Sequence, residues 1–266
     1  MTRTAGTLST VASGDGTRIA FERTGTGPAL VIVDGAMCSM AFGPSEATAA
    51  ALSGDFTVYR YDRRGRGDST DTNPYAVGRE AEDLTAVIAE AGGSAFVYGI
   101  SSGAGLALEA AASGVPITRL VLFEPPYTAG GSDASQQREE TRRMDALLRA
   151  GRHGQAVELF FSWVGIPAEA VAQMRSSPLW PALESIAPTI AYDNAVMGDG
   201  TVPKEKAGRI GIPTLVIAGS LSPEELRHAA QTVAKAIPRA RFRDLEGQAH
   251  TASPDTLAPL LKEFLR

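Results

Sequence analysis

The chain has 266 residues, 44% of them hydrophobic and 21% charged, with a single cysteine and a formal net charge of -5. This average composition excludes a disordered, collagen-like or coiled-coil chain. No apolar run approaches the roughly 20 residues that span a bilayer, and no signal peptide is visible at the start. Lysine and arginine form no block suited to nucleic acid or an anionic membrane surface. We therefore expect a cytoplasmic protein without nucleic-acid or membrane partners, and the lone Cys38 fits a reducing compartment.

Short apolar runs alternate with Ala-rich segments of helical period. A Gly14-Asp15-Gly16 turn predicts a hairpin between an initial strand and a strand over residues 18–22. Continuous apolar runs then predict strands buried on both faces, as in a parallel sheet. These runs cover residues 29–33, 57–61, 95–98, 120–123 and 214–218, and a final strand is predicted over 241–245. Helices are predicted over residues 76–91, 103–112 and from about 254 onward, so the alternation predicts an α/β fold with a mostly parallel sheet of about eight strands.

The alternation stops between residues 127 and 206. This stretch contains helical pieces over residues 136–150 and 155–163 and both tryptophans, Trp163 and Trp180, but no convincing core strand. We expect residues 1–126 and 207–266 to form the core, and residues 127–206 to form a helical cap, or lid, over the strand ends. The two tryptophans would then line the substrate pocket. The alternative is a set of extra helices that covers one face of the sheet.

The most informative segment is Gly99-x-Ser101-x-Gly103, which follows a predicted buried strand and precedes an Ala-rich helix. A strand, a tight turn and a helix in this order form a nucleophile elbow, with serine at the tip and glycine where side chains would collide. The same glycines also fit the nucleotide-binding turn of short-chain dehydrogenases. Those enzymes place this turn after their first strand and use a catalytic Tyr-x-x-x-Lys pair. In this chain the turn follows roughly the fifth strand, and no tyrosine has a lysine four residues later, so that alternative fails.

A serine nucleophile requires a base, and the chain has three histidines. His153 is expected in an exposed turn between two helices, and His228 on the polar face of a helix. His250 follows the final predicted strand, on a loop that can reach back over the sheet. We therefore predict that His250 is the base.

These motifs together resemble the α/β-hydrolase fold family over essentially the whole chain. The segment from Tyr61 to Ser69, with sequence YDRRGRGDS, is similar to that family's Y-D-x-R-G-x-G-x-S loop, in which Asp62 and the arginines are expected to fix the turn beside the elbow. Residues 33–36 occupy the place of the family's oxyanion loop, with Asp34 where histidine is common. The resemblance implies oxyanion donors at the backbone of Ala36, or of Gly35, and of Ser102.

Two further residues lie beside the expected oxyanion loop. Gly35 and Met37 are expected to border the substrate pocket. Cys38 follows directly, either at the pocket's edge or as a buried structural thiol.

The third member of the triad departs from the common family pattern. Many relatives place an aspartate after the penultimate strand, where this chain has Ser222. Glu124 directly follows the strand over residues 120–123, and haloalkane dehalogenases and zearalenone-type lactonases take their acid from that position. We therefore predict Glu124 as the acid, with Glu224 as the alternative.

The resemblance implies a serine hydrolase that cleaves a carboxylic ester or lactone through Ser101, His250 and Glu124. Three short motifs are similar to those of zearalenone-type lactonases: Asp34-Gly35, Ser101-Ser102-Gly103 and Glu124. A hydrophobic macrolactone is therefore one expected substrate, and another ester or thioester is the alternative. No residue cluster has metal-ligand spacing, and no metal or other cofactor is expected. A non-hydrolytic receptor or cyclase with the same fold is the contrasting hypothesis. The sequence leaves the oligomeric state open.

Overall fold

The computed structural model describes residues 7–128 and 134–266, and the side chains of all these residues except 134–138. Its strands are β1 (Thr7–Ala12), β2 (Arg18–Thr24), β3 (Ala29–Val33), β4 (Thr57–Tyr61), β5 (Ala95–Ile100), β6 (Ile117–Phe123), β7 (Thr214–Gly219) and β8 (Ala240–Leu245). They form one sheet in the order β1-β2-β4-β3-β5-β6-β7-β8. The pairs β1·β2 and β2·β4 are antiparallel and the other pairs are parallel. The predicted fold class is therefore confirmed.

The predicted strands are confirmed, and those predicted from continuous apolar runs lie in the interior of the sheet. β3 and β4 begin and end at the predicted residues, whereas β5, β6 and β7 are longer by one to three residues. The predicted hairpin around Asp15 joins β1 to β2. β8 is an edge strand in which Ala240 and Phe242 are half-buried and Arg241 and Arg243 are exposed, so its burial alternates as expected for a strand covered on one face.

The helices are α1 (Ser45–Leu52), α2 (Val77–Glu90), α3 (Ser102–Ala112), α4 (Ala134–Arg149), α5 (His153–Trp163), α6 (Ala168–Arg175), α7 (Trp180–Ile186), α8 (Ile190–Met197), α9 (Lys204–Ala207), α10 (Glu224–Ala236) and α11 (Pro254–Leu265), with a 3₁₀ turn at Ala187–Thr189. Apolar residues of α2, α3 and α10 pack on one face of the sheet, and those of α1 and α11 pack on the other. In α2 the buried Leu84, Val87 and Ile88 recur at helical spacing and form its core-facing side.

Helices α4 to α9 lie between β6 and β7 in the chain. Those before α9 share an apolar cluster of their own, which includes Phe161, Trp180, Leu183 and Ile190. Met37, from the loop after β3, belongs to the same cluster, so this part of the chain packs against a loop at the carboxyl end of the sheet. Residues 129–133 of the expected cap lie outside the described part, and the division into core and cap stays a prediction.

Within residues 7–128 and 134–266, no helix combines the length and the apolar character needed to cross a membrane.

Candidate active site

Ser101 lies at the turn between β5 and α3 in a backbone conformation that few residues other than glycine adopt. Its φ is 56° and its ψ is -127°, a strain of about 1–3 kcal/mol. The Ser101 N–H donates to the carbonyl of Phe123 at 2.9 Å, which ties the turn to the end of β6. A strained serine at a strand-to-helix turn is the local structure of a nucleophile elbow.

The two glycines of the elbow are required by close backbone contacts. A Cβ at Gly99 would lie 2.6 Å from the carbonyl oxygen of Gly103. A Cβ at Gly103 would overlap the carbonyl oxygen of Val33 and lie 2.5 Å from that of Asp34. The predicted reason for glycine at both positions is confirmed, because α3 packs directly onto β5 and onto the end of β3.

Glu124 is the first residue after β6, and its side chain is fully buried. Its backbone is also strained, with a φ of 46°. Its Oε1 accepts a hydrogen bond from the Gly219 N–H at 2.6 Å, and its Oε2 lies 2.5 Å from Nδ1 of His250. Burial by itself would raise the pKa of Glu124, but His250, the adjacent Ser222 and the Gly219 N–H together hold it below its usual value. Glu124 is therefore an ionised carboxylate at neutral pH.

His250 is positioned by hydrogen bonds between the loops that follow β7 and β8. The Ser220 N–H donates to the carbonyl of Leu245 at 3.0 Å, and the Leu221 N–H donates to that of Gln248 at 2.9 Å. The His250 ring lies 6.3 Å from the ring of Phe123, centroid to centroid. The structure therefore brings His250 to the strand end that precedes Glu124.

The other residues considered for these roles lie elsewhere. Glu224 is exposed as the first residue of α10, and His228 is exposed on the same helix. His153 is half-buried as the first residue of α5, directly after the exposed residues 150–152, so the predicted turn between two helices is present but His153 begins the second helix. Ser222, at the position of the common family acid, is buried beside Glu124. Glu124 therefore lies beside the position at which the resemblance implied an aspartate.

The predicted oxyanion loop directly contacts the elbow. A Cβ at Gly35 would lie 3.0 Å from the Ser101 Cβ and 3.6 Å from its Oγ. Ser102 is buried as the first residue of α3, and the first N–H groups of a helix have no partner within that helix. Ala36 is half-buried, and Met37 is buried with a φ of 57°. The structure places Gly35 beside the Ser101 side chain, and the role of the Ala36 and Ser102 N–H groups as donors stays a prediction.

The two tryptophans belong to the apolar cluster between β6 and β7. Trp180 is buried, and its indole nitrogen would lie 3.7 Å from a Cβ at Gly154. Trp163 is half-buried beside the same cluster. Their place in a substrate pocket stays a prediction.

A family model described as "Alpha/beta hydrolase family" matches residues 35–260 of the chain. The chain belongs to the alpha/beta hydrolase family. A solved alpha/beta hydrolase from Sphaerobacter thermophilus DSM 20745 is 52% identical and has a TM-score of 0.86, over 97% of this chain and 100% of that chain.

Two solved structures share the fold at lower identity. The esterase RhEst1 from Rhodococcus sp. ECU1013 is 22% identical with a TM-score of 0.72, over 97% of this chain and 98% of that chain. The enol-lactonase from Burkholderia xenovorans LB400 is 23% identical with a TM-score of 0.70, over 97% of this chain and 99% of that chain. None of the curated proteins compared with the sequence matches it.

The arginine loop of this alpha/beta hydrolase, residues 62–69, is anchored as the resemblance implied. Asp62 accepts hydrogen bonds from the N–H groups of Met40 at 2.6 Å and Asp68 at 2.9 Å. Arg63, Arg64 and Arg66 are all buried and bound to carboxylates. These carboxylates belong to Glu80 and Asp193 for Arg63, Asp15 and Asp83 for Arg64, and Asp193 for Arg66.

Sequence reasoning missed these carboxylate partners, Asp193 among them. The signal that the sequence offered was the run of three arginines within four residues, which require carboxylate partners if they are buried. The sequence has 30 acidic residues and gave no means of choosing among them.

Asp34 is a second buried carboxyl group near the elbow. Burial raises the pKa of Asp34 to about 6, although the hydroxyl of Ser45 and the charges of Arg60 and Arg66 offset part of this effect. Its Oδ1 has no hydrogen-bond partner among the described residues. Across the same residues, no group of three His, Cys, Asp or Glu side chains could hold a metal ion. Burial also raises the pKa of the nearby Cys38 thiol to about 12, so that group is protonated at neutral pH.

We predict that Gly103→Ala lowers the free energy of unfolding by roughly 2–3 kcal/mol, because its Cβ meets the backbone of β3 and the loop after it. The matched control is Gly78→Ala in α2, where nothing lies within 4 Å of the new Cβ. This control should raise the free energy of unfolding by about 0.5–1 kcal/mol. Urea denaturation of both variants checks the pair, and equal effects would contradict the close packing.

A second prediction concerns Asp34→Asn. With a pKa of about 6 against 3.8 as the ordinary value, folded Asp34 holds more protons than unfolded Asp34 between these pH values, so its ionisation costs stability as pH rises. An asparagine does not titrate. The free energy of unfolding of the variant minus that of the native protein should therefore be roughly 2 kcal/mol larger at pH 7 than at pH 4. A difference independent of pH in urea denaturation would contradict the shifted pKa.

Proposed function

We propose that this chain is a serine hydrolase that cleaves a carboxylic ester or lactone, with Ser101 as nucleophile, His250 as base and Glu124 as acid. The observation that carries the proposal is the buried Glu124 carboxylate, 2.5 Å from Nδ1 of His250, at the end of the strand next to the one that presents Ser101. A buried ionised carboxylate paired with a half-exposed histidine is the orienting half of a catalytic triad.

The sheet geometry supports the same assignment. β5 and β6 are parallel neighbours with Ile100 opposite Phe123, so Ser101 and Glu124 leave the sheet at adjacent positions on its carboxyl edge. In open α/β sheets this edge is where ligands bind.

Acylation follows from the proposed roles. Glu124 bound at Nδ1 leaves Nε2 of His250 to accept the proton of the Ser101 hydroxyl as Oγ attacks the ester carbonyl. The negative charge that develops on the carbonyl oxygen is stabilised by the N–H groups of Ala36 and Ser102. The tetrahedral intermediate expels the alcohol, which takes its proton from His250.

Deacylation repeats these steps with water. His250 accepts a proton from a water molecule as the water oxygen attacks the acyl-enzyme carbonyl. His250 then returns the proton to Ser101 Oγ as the acid product leaves. For a lactone, the alcohol and the acid are the two ends of one opened product. Neither step requires a cofactor.

We further propose that residues 127–206 form a cap over this edge, and that the substrate is hydrophobic. The packing of Met37 into the same apolar cluster as Trp180 supports this arrangement, because Met37 lies two residues after Gly35. Trp163 would border the same pocket. A macrolactone is one hydrophobic substrate of the proposed kind, and a smaller ester is another. The lone cysteine supports a cytoplasmic location.

We expect Ser101→Ala and His250→Ala each to lower kcat by about 10⁴- to 10⁶-fold on any ester that the native enzyme turns over. The double variant should be little worse, because the two side chains act as one proton-transfer unit. Screening aryl esters, thioesters and macrolactones identifies the substrate, and a burst of nitrophenol from an aryl ester reports the acyl-enzyme. A native protein that gives neither burst nor turnover would instead be a binding protein.

Glu124→Gln should lower kcat by roughly 10³- to 10⁴-fold, because an amide cannot stabilise the imidazolium ion of His250. The matched control is Glu224→Gln on the exposed start of α10, which should change kcat by less than about threefold and the free energy of unfolding by less than roughly 0.5 kcal/mol. Steady-state kinetics of both variants checks the acid.

The double variant Glu124→Gln, Ser222→Asp should regain part of the lost activity, because Ser222 lies beside the carboxylate that is removed. An inactive Glu224 variant together with an active Glu124 variant would overturn the choice of acid while leaving Ser101 and His250 in place.

A further inference from the structure

Asp193, on α8 of the expected cap, is bound to the residue that follows Ser101. Its side chain is buried, and its Oδ1 accepts hydrogen bonds from Ser102 Oγ at 2.8 Å and Arg63 Nη1 at 2.6 Å. Its Oδ2 accepts from Arg66 Nη2 at 2.7 Å. One carboxylate from the region between β6 and β7 thus binds the first residue of α3 and two cations of the arginine loop.

Arg66 extends this connection to the loop after β3. Its Nη1 donates to the carbonyl oxygen of Gly35 at 2.6 Å, and its Nε donates to Thr189 Oγ1 at 3.1 Å. The Gly35 carbonyl and the Ala36 N–H belong to the same peptide group. Because a trans peptide is planar, with its oxygen and hydrogen on opposite sides, a guanidinium that fixes the oxygen also fixes the direction of the N–H.

Charge compensation makes this arrangement stable in the interior. Burial would raise the pKa of Asp193, but Arg63, Arg66 and the Ser102 hydroxyl outweigh burial and hold it below its usual value. Arg63 is bound in addition by both oxygens of Glu80, at 2.6 and 2.7 Å. Asp193 is thus an ionised carboxylate that holds both arginines, and its neutralisation would leave Arg66 without a carboxylate partner among the described residues.

We propose that Asp193 is a positioning residue that orients both donors of the oxyanion hole, Ser102 directly and Ala36 through Arg66. The inference rests on the proposed serine-hydrolase function. It adds to that function the means by which a residue between β6 and β7 orients the backbone N–H groups of the oxyanion hole. Since the oxyanion forms only on the way to the tetrahedral intermediate, misplaced donors weaken binding of the transition state more than binding of the substrate.

The test compares Asp193→Asn with Asp83→Asn. Asp83 forms an equally buried pair with Arg64 of the same loop, at 2.8 and 2.7 Å, and is the matched control because Arg64 is bonded to neither Ser102 nor Gly35. Both variants should lose stability, so kinetics are measured at a temperature at which circular dichroism shows both to be folded. Asp193→Asn should lower kcat about 10- to 100-fold with KM within about threefold, whereas Asp83→Asn should keep kcat within about threefold.

Phenylboronic acid, which forms a tetrahedral adduct with a nucleophilic serine, provides a second readout. Its inhibition constant should rise with Asp193→Asn by about the same factor as kcat/KM falls, and should stay nearly constant with Asp83→Asn. Ser102→Ala keeps the backbone N–H and removes only the anchoring hydroxyl. Ser102→Ala should lower kcat about 3- to 10-fold. In the double variant with Asp193→Asn, the loss of kcat should be smaller than the two single losses combined. Ser102→Ala also serves as the test if Asp193→Asn does not fold.

Two outcomes separate this inference from the proposed function. If native turnover requires Ser101 but Asp193→Asn, or Ser102→Ala in its place, retains kcat and boronate affinity, the positioning role is wrong and the serine-hydrolase mechanism stands. If Ser101→Ala retains full turnover, the proposed function itself is wrong.

Discussion

The structure of this alpha/beta hydrolase depends on three arginines buried beneath the carboxyl edge of its sheet. Moving a charge out of water costs several kcal/mol unless a partner compensates it. Arg63, Arg64 and Arg66 meet this requirement with carboxylates from α2, α8 and the β1–β2 turn, and with the Gly35 carbonyl. Because a guanidinium group binds carboxylates in only a few geometries, these ion pairs hold the elements in one arrangement around the elbow.

That arrangement surrounds a strained backbone. The described residues other than glycine with positive φ are Met37, Ser101 and Glu124, and each lies just beyond the carboxyl end of a strand: β3, β5 and β6. Such conformations persist only where surrounding contacts over-determine them. Here the ladder of β3, β5 and β6 and the close contacts of Gly99 and Gly103 hold the backbone around these residues.

Local patterns in the sequence determined the sheet and the elbow. Buried parallel strands are continuous apolar runs, so five of them were found within a few residues of their ends. A nucleophile elbow requires glycine at fixed offsets, and Ser101 was therefore evident from spacing. Glu124 could be proposed because it directly follows a strand, and His250 because it follows the last one.

Only the tertiary structure decided which carboxylates meet which cations. Glu124 and His250 are separated by 126 positions, and Ser102 and Asp193 by 91. No local periodicity records such contacts, because they arise when the loops after different strands converge on one edge. The burial of Asp34 was equally hidden, since an aspartate after a strand is usually solvated and only the packed loops around it exclude water. The sequence by itself thus determined the strands of the sheet and the turn at Ser101, whereas the partners of each buried charge were decided by the fold, because charge compensation is a property of positions in space.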